Sequence, residues 1–246
     1  MKKLVLILFI ICFNCNMLEA KTLDATYSVS YGMFGELGIS EAHLETKGNT
    51  YVIEVSARTT GIVKRLSRNR QEKYVSRGHI VNGMFVSDSL DMVRSYGNKV
   101  SINHYRIDHQ KKRVTKTSIR KKGGKVYRNE SKVLDFYSKD DLLTLYFNLP
   151  NRVNLDKAET YALTAVGAEK QNGKVKVIVP EEKEIHRYEE SLGKGDFRYL
   201  TAIVYQKLFQ SNKGELMLAI GKDGIAEKAV LKDLILYGDL VAKRVK

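Results

Sequence analysis

Alternation of apolar and polar side chains is the feature that most constrains what this chain can fold into. It runs through residues 26–33, 51–58 and 174–179, where apolar residues recur at every second position. Successive side chains of a β-strand point to opposite faces of the sheet. This period of two therefore predicts strands with one buried face.

Short turn signals separate the alternating segments. Asn-Gly and Asp-Gly pairs favour hairpin turns, because those positions require a positive φ. Roughly a dozen strands, joined mainly as hairpins, are therefore expected. The predicted fold class is mainly β: a large antiparallel twisted sheet, or an open or partly closed β-barrel, with one short helix near the middle. The turn signals are Lys47-Gly48-Asn49, Asn82-Gly83, Tyr96-Gly97-Asn98, Gly123-Gly124, Asn172-Gly173, Asn212-Lys213-Gly214 and Asp223-Gly224.

One segment departs from the period of two and predicts this helix. Residues 138–149 begin with Ser138, a favourable N-cap, and place Asp140 and Asp141 in the expected first turn. Pro150 marks the expected end of the helix. The apolar face that a helix would create consists of Leu142, Leu145, Tyr146 and Leu149.

Two other segments are less regular. A short turn of helix is predicted over residues 62–66. Residues 181–192 are charged enough for a helix or a strand, and we predict a strand because strands flank the segment. No Gly/Ser-rich linker interrupts the chain. We therefore expect a single β-rich domain over residues 21–246, with the neighbourhood of Pro150 as the one place for a subdivision.

The N-terminus has the three parts of a secretory signal peptide. Lys2 and Lys3 precede ten consecutive apolar residues, and small Ala20 closes the segment. We expect a signal peptide over residues 1–20 with cleavage after Ala20. A retained anchor is the alternative, but a spanning helix needs about 20 apolar residues.

Loss of this peptide changes the composition of the remaining chain. The mature form has 226 residues and no cysteine, because Cys12 and Cys15 leave with the signal; neither follows the small residue that lipid attachment favours. Thiol catalysis, disulfides and cysteine-based zinc sites are therefore excluded. Its 40 basic and 27 acidic residues give a formal charge of +13. We expect a periplasmic protein that is not integral to a membrane.

The densest concentration of charge is a stretch of nine basic residues without an acid. It predicts a two-stranded hairpin around Gly123-Gly124, which would attract polyanions. In an exported protein we expect anionic lipid headgroups, lipopolysaccharide phosphates, acidic glycans or an envelope protein as partners, and no nucleic acid. The alternative is a solvated edge hairpin whose lysines prevent edge-to-edge pairing. The nine candidates are Lys111, Lys112, Arg113, Lys116, Arg120, Lys121, Lys122, Lys125 and Arg128.

No catalytic, cofactor or metal motif accompanies this hairpin. The five histidines occur singly, without the spacing that places two metal ligands on one helix face. On a strand, Glu182, Glu184 and His186 would line one face as an acid–base or cation site, although a charge-balanced exposed face explains them better. We expect no enzyme activity, no cofactor and no metal. A second basic cluster, open to the same two interpretations as the hairpin, consists of Lys64, Arg65, Arg68, Arg70 and Lys73.

Several segments, taken in order, resemble one bacterial family. They are the glycine-rich bend in residues 27–38, the basic passage from 57–61 to 74–78, the helix start in 134–146, and the segment 214–224 followed by two strands around Gly238. Over about residues 25–245 the chain is similar to the exported proteins of the domain of unknown function 3108 family. The resemblance implies a β-rich envelope protein of Gram-negative bacteria and brings no activity or catalytic residue with it.

Three function hypotheses follow from these observations. The first is a non-enzymatic binding or scaffold protein with an apolar or anionic lipid or glycan ligand, held in an open barrel. The second is a protein-interaction partner of an envelope assembly, docking through the basic hairpin. The third is a glycan-acting enzyme, which requires two carboxyl groups about 5–10 Å apart in a cleft. An apolar cavity inside the sheet would favour a carrier.

Overall fold

The computed structural model describes most of the chain after residue 20. The described residues are 21–32, 35–204, 214–234 and 238–246. The predicted signal peptide lies outside them, as do residues 33–34 of the glycine-rich bend and residues 212–213 of one expected turn.

The alternating segments fold as fourteen strands in the described parts of the chain. Their side chains alternate between the two faces of the sheet, as the period of two predicts. The strands are β1 (Lys21–Tyr31), β2 (Glu36–Lys47), β3 (Thr50–Thr59), β4 (Gln71–Val81), β5 (Met84–Tyr96), β6 (Lys99–Asp108), β7 (Arg113–Lys122), β8 (Lys125–Val133), β9 (Glu159–Thr164), β10 (Lys174–Val179), β11 (Arg198–Ile203), β12 (Glu215–Ile220), β13 (Ala226–Leu234) and β14 (Gly238–Arg244).

All of these strands belong to one antiparallel sheet. Its order is β8-β7-β6-β5-β4-β3-β2-β1-β14-β13-β12-β11-β10-β9. Strands adjacent in the chain pair with each other, except that β8 and β9 lie at opposite edges, while β14 pairs with β1. Because β8 and β9 do not pair, the sheet is not closed. The predicted class, mainly β with a large antiparallel sheet, is confirmed.

Three α-helices connect strands in the described residues. The first confirms the short helix predicted over residues 62–66. The second is the predicted central helix, but it begins at Leu142 and not at Ser138, because Asp141 is its N-cap. The helices are α1 (Gly61–Leu66), α2 (Leu142–Arg152) and α3 (Ile185–Leu192).

Pro150 does not end α2 as predicted. The helix continues through Arg152. Proline lacks an N–H group, so Pro150 removes one backbone hydrogen bond near the end of the helix. The residues that follow keep theirs, and the Val153 N–H donates to the Leu149 carbonyl at 2.8 Å.

The strand predicted over residues 181–192 is wrong. A 3₁₀ turn at Glu182–Glu184 leads directly into α3. Tyr188 and Leu192, one helical turn apart, are both buried in a cluster with residues of β11, β12 and β13. The helical period of these two apolar residues therefore decides the structure, and the flanking strands do not.

A buried carboxylate fixes the start of α2. The Asp141 side chain accepts hydrogen bonds from the backbone N–H groups of Leu143 at 2.8 Å and Thr144 at 2.9 Å. It also accepts a hydrogen bond from the Ser87 hydroxyl of β5 at 2.7 Å. Burial raises the pKa of Asp141, while these donors oppose the rise by stabilising its charged form. The helix start is thereby tied to one position along β5.

A second set of polar contacts ties the middle of α2 to the same strand. The Asn148 side chain accepts a hydrogen bond from the Phe85 N–H at 3.0 Å and donates to the Phe85 carbonyl at 2.8 Å. It also donates to Asp140 at 2.6 Å, and Asp140 forms an ion pair with Arg152 at 3.0 Å. Two neighbouring carboxylates thus hold the helix in place.

With this anchorage, α2 lies between two walls of the curled sheet. On one side Leu143 and Phe147 pack with Tyr51, Ile53 and Phe85. The opposite side of the helix packs against the inner face of β10 to β13. That core consists of Leu145, Leu149, Val153, Ala165, Ala168, Val175, Val177, Val179, Leu200, Leu218, Ile220 and Ala226.

Another carboxylate joins the two edges of the sheet. Glu169 follows edge strand β9, and its side chain accepts hydrogen bonds from Tyr105 of β6 and Lys116 of β7. It also pairs with Lys132 of edge strand β8 at 3.3 Å. Burial by itself raises the pKa of Glu169, but Lys116 and Tyr105 lower it overall. Side-chain contacts, and not a backbone ladder, therefore bring the edges of the curled sheet together.

Replacement of the α2 cap tests its role in stability. Asp141→Ala should lower the free energy of unfolding by about 2–4 kcal/mol, because it removes the cap and leaves the Ser87 hydroxyl without its buried acceptor. Urea denaturation of the mature protein measures this. Asp135→Ala, at an exposed position in the same connection, is the control and should change stability by less than about 0.5 kcal/mol. Equal stabilities of the two variants would contradict the anchoring role.

The Glu169 contacts predict a pH-dependent variant. Glu169→Gln should lower the free energy of unfolding at neutral pH by about 1–3 kcal/mol, because Lys116, only 13% exposed, loses its carboxylate. A carboxylate with a lowered folded-state pKa contributes stability above its unfolded pKa and loses it as the pH falls. The difference in the free energy of unfolding between wild type and the variant should therefore shrink as the pH falls below 4.5, the ordinary pKa of a glutamate.

Urea unfolding at a series of pH values measures this difference. Glu130→Gln is the control, because it removes the carboxylate of an exposed pair with Arg128. Its unfolding midpoint should match wild type. A Glu169→Gln effect that stays constant from pH 7 to pH 3 would show that the charge is not responsible.

Candidate ligand cavity and basic surfaces

Cross-strand register builds an apolar wall on the inner face of the sheet. Directly opposed residues of an antiparallel pair share a face, so each row of partners forms one line of side chains. One row across β11 to β14 is Ala202, Leu216, Leu231 and Leu240. The adjacent row is Leu200, Leu218, Ala229 and Ala242.

Between this wall and α2 lies a cavity of about 480 Å³. Ligand sites for small molecules have volumes of roughly 300–1,000 Å³. The polar side chains in its lining are Tyr27, Ser40 and Tyr146. Burial raises the pKa of Tyr27 to about 12, and the Tyr146 hydroxyl accepts a hydrogen bond from the Ala226 N–H at 2.7 Å. Among the described residues, the lining therefore contains no ionised side chain.

The remaining lining residues come from α2 and from strands on both sides of the β1–β14 pair. They are Val55, Leu142, Leu145, Leu149, Val175, Val177, Ala202, Val204, Gly214, Leu216, Leu218, Ala226, Ala229, Leu231, Leu240 and Ala242.

The cavity extends from α2 toward one end of the sheet. Its lining includes Val204, at the end of β11, and Gly214, just before β12; the Val204 N–H donates to the Gly214 carbonyl at 2.9 Å. The antiparallel order places the end of β11 and the end of β3 at the same end of the sheet. Since β3 leads into α1, we call this the α1 end.

A polar network around the buried carboxylate of Glu72 borders the cavity. Val55, which lines the cavity, pairs across strands with Tyr74, whose hydroxyl donates to Glu72. Glu72 is 8% exposed and also pairs with Arg70 at 2.7 Å and Arg94 at 3.1 Å. Burial raises the pKa of Tyr74 to about 12, so its hydroxyl remains protonated. Two partly exposed guanidinium groups around one carboxylate give this border of the cavity a net positive charge.

The predicted basic hairpin forms as β7 and β8, but its nine basic residues do not make one surface. Lys111 and Lys112 lie in the turn before β7, whereas Lys122 and Lys125 flank the turn after it. The ten residues of β7 separate these two ends by about 30 Å.

Four of the nine residues already bind other groups of the protein. Lys116 bonds to Glu169, Arg113 pairs with Asp108, Arg128 pairs with Glu130, and Arg120 donates to Asn103. For the other five, no carboxylate in the described ranges lies within ion-pairing distance. These are Lys111, Lys112, Lys121, Lys122 and Lys125.

The second basic cluster divides in the same way. Arg70 belongs to the network around Glu72, and Lys73 pairs with Glu54 at 2.6 Å. The others, Lys64, Arg65 and Arg68, are exposed on or beside α1 and have no ion pair with a described residue.

Comparison with known proteins assigns the family. A family model for proteins of unknown function, DUF3108, matches residues 26–242. The chain belongs to this family. The resemblance seen in the sequence is thereby confirmed over residues 26–242, nearly the whole chain. No curated protein matches it.

Among solved structures, the DUF3108 chain is similar to a β-barrel-like protein of the domain of unknown function DUF1849 from Brucella abortus. The two share 11% sequence identity with a TM-score of 0.50, covering 91% of this chain and 95% of the other. At this identity the likeness is one of fold, and it agrees with a curled, open sheet. None of the helices described in the DUF3108 chain is long and apolar enough to cross a membrane.

Each of the five histidines pairs with a carboxylate. Their spacing in the sequence did not indicate these pairs. Most partners lie on neighbouring strands and are distant in the chain. The pairs are His43 with Asp24, His79 and His109 with Asp88, His104 with Asp91, and His186 with Glu190. In the described residues, no three metal-ligating side chains converge on one point.

The shared strand face that would have made Glu182, Glu184 and His186 an acid–base or cation site does not form, because these residues lie in a 3₁₀ turn and in α3. His186 is 76% exposed and pairs with Glu190 of the same helix at 3.3 Å.

A second groove, of about 700 Å³, contains two other acids of this DUF3108 protein, Asp156 and Asp223. Asp156 pairs with Arg198 at 2.8 Å, and Asp223 pairs with Arg244 at 2.5 Å. Burial raises the pKa of Asp223, but Arg244 lowers it overall. A general acid needs a raised pKa, so Asp223 is not suited to that role.

The cavity wall is the feature that sequence reasoning missed. Residues 216–220 read Leu-Met-Leu-Ala-Ile, with apolar residues at every position. Leu216 and Leu218 line the cavity, while Met217 and Ala219 belong to the cluster that contains α3 residues. A strand buried on both faces is continuously apolar, and that run was the available signal.

Proposed function

We propose that this DUF3108 protein is an exported, non-enzymatic binding protein of the bacterial envelope whose cavity holds an apolar ligand such as an acyl chain. The observation that carries the proposal is the cavity of about 480 Å³, whose described lining residues include no ionised side chain. Burial of an aliphatic chain there removes apolar surface of both partners from water. A polar substrate would lose hydrogen bonds to water that this lining could not replace.

The polar network beside the cavity supports an acidic ligand over a basic one. Arg70 and Arg94 share the single carboxylate of Glu72, so the interior next to Val55 is net positive. An amphiphile with an anionic head would meet favourable charge at this border. A cationic head would be repelled.

An interaction role is the second candidate, and edge strand β8 is the observation that favours it. All nine of its residues are exposed, and its outer edge has no partner strand in the described residues. Such an edge can pair with an extended segment of another protein. The glycan-acting enzyme gains no comparable support, because each acid of the second groove is matched to an arginine.

Filling the cavity tests the binding proposal. The mature protein should bind a fluorescent long-chain fatty acid saturably. Ala229→Phe should weaken this binding about tenfold or more, because the new ring occupies the space of the ligand. Ala242→Phe, on the next strand, should act in the same way. Ala158→Phe adds the same ring at an exposed position and should bind like wild type.

Thermal melting of each variant separates a blocked cavity from a misfolded chain. The proposal would be overturned if the folded wild-type protein showed no saturable binding of long-chain probes, or if both cavity-filling variants bound them with wild-type affinity.

Export predicts a defined mature N-terminus. Protein recovered from the periplasm of cells that express the full chain should begin at Lys21 and lack cysteine. Ala20→Lys should leave the precursor uncleaved, because the cleavage position needs a small residue. Intact-mass spectrometry measures both. Recovery of the uncleaved wild-type chain in the cytoplasm would contradict the proposal.

A further inference from the structure

Two large aliphatic side chains stand almost fully exposed on α1. Ile62 is 77% and Leu66 is 78% exposed. They are four residues apart, so they lie on the same face of the helix. No residue of α1 is buried. The helix thus presents an apolar face to the solvent at the α1 end.

Backbone hydrogen bonds join α1 to the neighbouring turns in a continuous rim. The Gly97 N–H donates to the Arg68 carbonyl at 2.6 Å, and the Gly123 N–H donates to the Asn98 carbonyl at 2.8 Å. The connection that contains α1, the β5–β6 turn and the β7–β8 turn therefore lie side by side. We call this set, residues 61–70, 96–99 and 121–128, the α1 rim.

The α1 rim is basic throughout. Its three segments contain no Asp or Glu. Seven of its cations have no carboxylate partner among the described residues. These are Lys64, Arg65, Arg68, Lys99, Lys121, Lys122 and Lys125. Tyr96 and Tyr127 are exposed in the same rim, a residue type that is enriched where protein meets the membrane–water interface.

We infer that the α1 rim docks onto a bilayer that contains anionic phospholipid. Ile62 and Leu66 enter the interfacial region, while the surrounding lysines and arginines contact the phosphates. Aliphatic side chains flanked by cations suit an interface that combines apolar and anionic groups. The rim is formed by two hairpin turns and a short exposed helix at one end of the sheet.

Docking in this way would turn the α1 end of the cavity toward the lipid. Val204 and Gly214 line the cavity at that end. This consequence rests on the proposed function, since it matters only if the cavity holds an acyl chain. The docking itself depends only on the rim, so the two are measured separately.

Co-sedimentation of the mature protein with phosphatidylcholine vesicles, with and without phosphatidylglycerol, tests the docking. Wild type should bind the anionic vesicles, and the binding should weaken as salt is raised. Ile62→Ser with Leu66→Ser should reduce the binding about tenfold or more. Because both side chains are exposed, the melting temperature of this variant should stay close to that of wild type.

Matched charge changes locate the surface. Lys122→Glu with Lys125→Glu alters the rim, whereas Lys111→Glu with Lys112→Glu makes the same change at the far end of the same hairpin. The affinity for anionic vesicles should fall about tenfold or more in the Lys122→Glu and Lys125→Glu variant. The affinity should fall less than about threefold in the Lys111→Glu and Lys112→Glu variant.

Three results would overturn the inference. They are no binding of wild type to anionic vesicles, wild-type binding by the Ile62→Ser and Leu66→Ser variant, or equal losses for the two lysine pairs. Fatty-acid binding in the absence of vesicles should be unchanged by the rim substitutions. A failure of docking and a failure of the cavity proposal are therefore distinguishable.

Discussion

The anchorage of α2 by buried carboxylates is the constraint on which the rest of this structure depends. A sheet that curls on itself must cover its apolar inner face, and α2 is the element that lies between its walls. Asp141 caps the helix and bonds to Ser87, while Asn148 bonds to the backbone of Phe85. Apolar packing is non-directional. These polar contacts are directional, so they select one position of the helix among many that would bury similar area.

The length of α2 explains why a cavity remains. Eleven residues of helix span about 16 Å, whereas the thirteen residues of β5 span about 40 Å. The helix therefore covers only part of the inner face. Its neighbours in β11 to β14 carry small or medium apolar side chains, among them Ala202, Ala229 and Ala242, which do not fill the remainder. The space is apolar because the cross-strand rows that face it consist of Leu and Ala side chains.

Local patterns predicted the sheet well, whereas the site depends on contacts between distant residues. Alternation and turn signals give the strands, because both act within a few residues. The strand predicted at residues 181–192 failed because the burial of Tyr188 and Leu192 depends on strands that follow later in the chain. The cavity could not be predicted, since it requires the β1–β14 pairing. Likewise, the basic residues form a run in the sequence, but a ten-residue strand divides them in space.

The contact of Glu169 with β6, β7 and β8 has a geometric consequence. In a barrel closed by a continuous ladder, strand number, tilt and shear are linked, so adding or removing a strand alters the whole cross-section. Here the edges meet through side chains of Tyr105, Lys116 and Lys132. Because no continuous ladder closes this sheet, the number of its strands is not fixed by the geometry of a closed barrel. A further strand could pair with the outer edge of β8 without breaking these contacts.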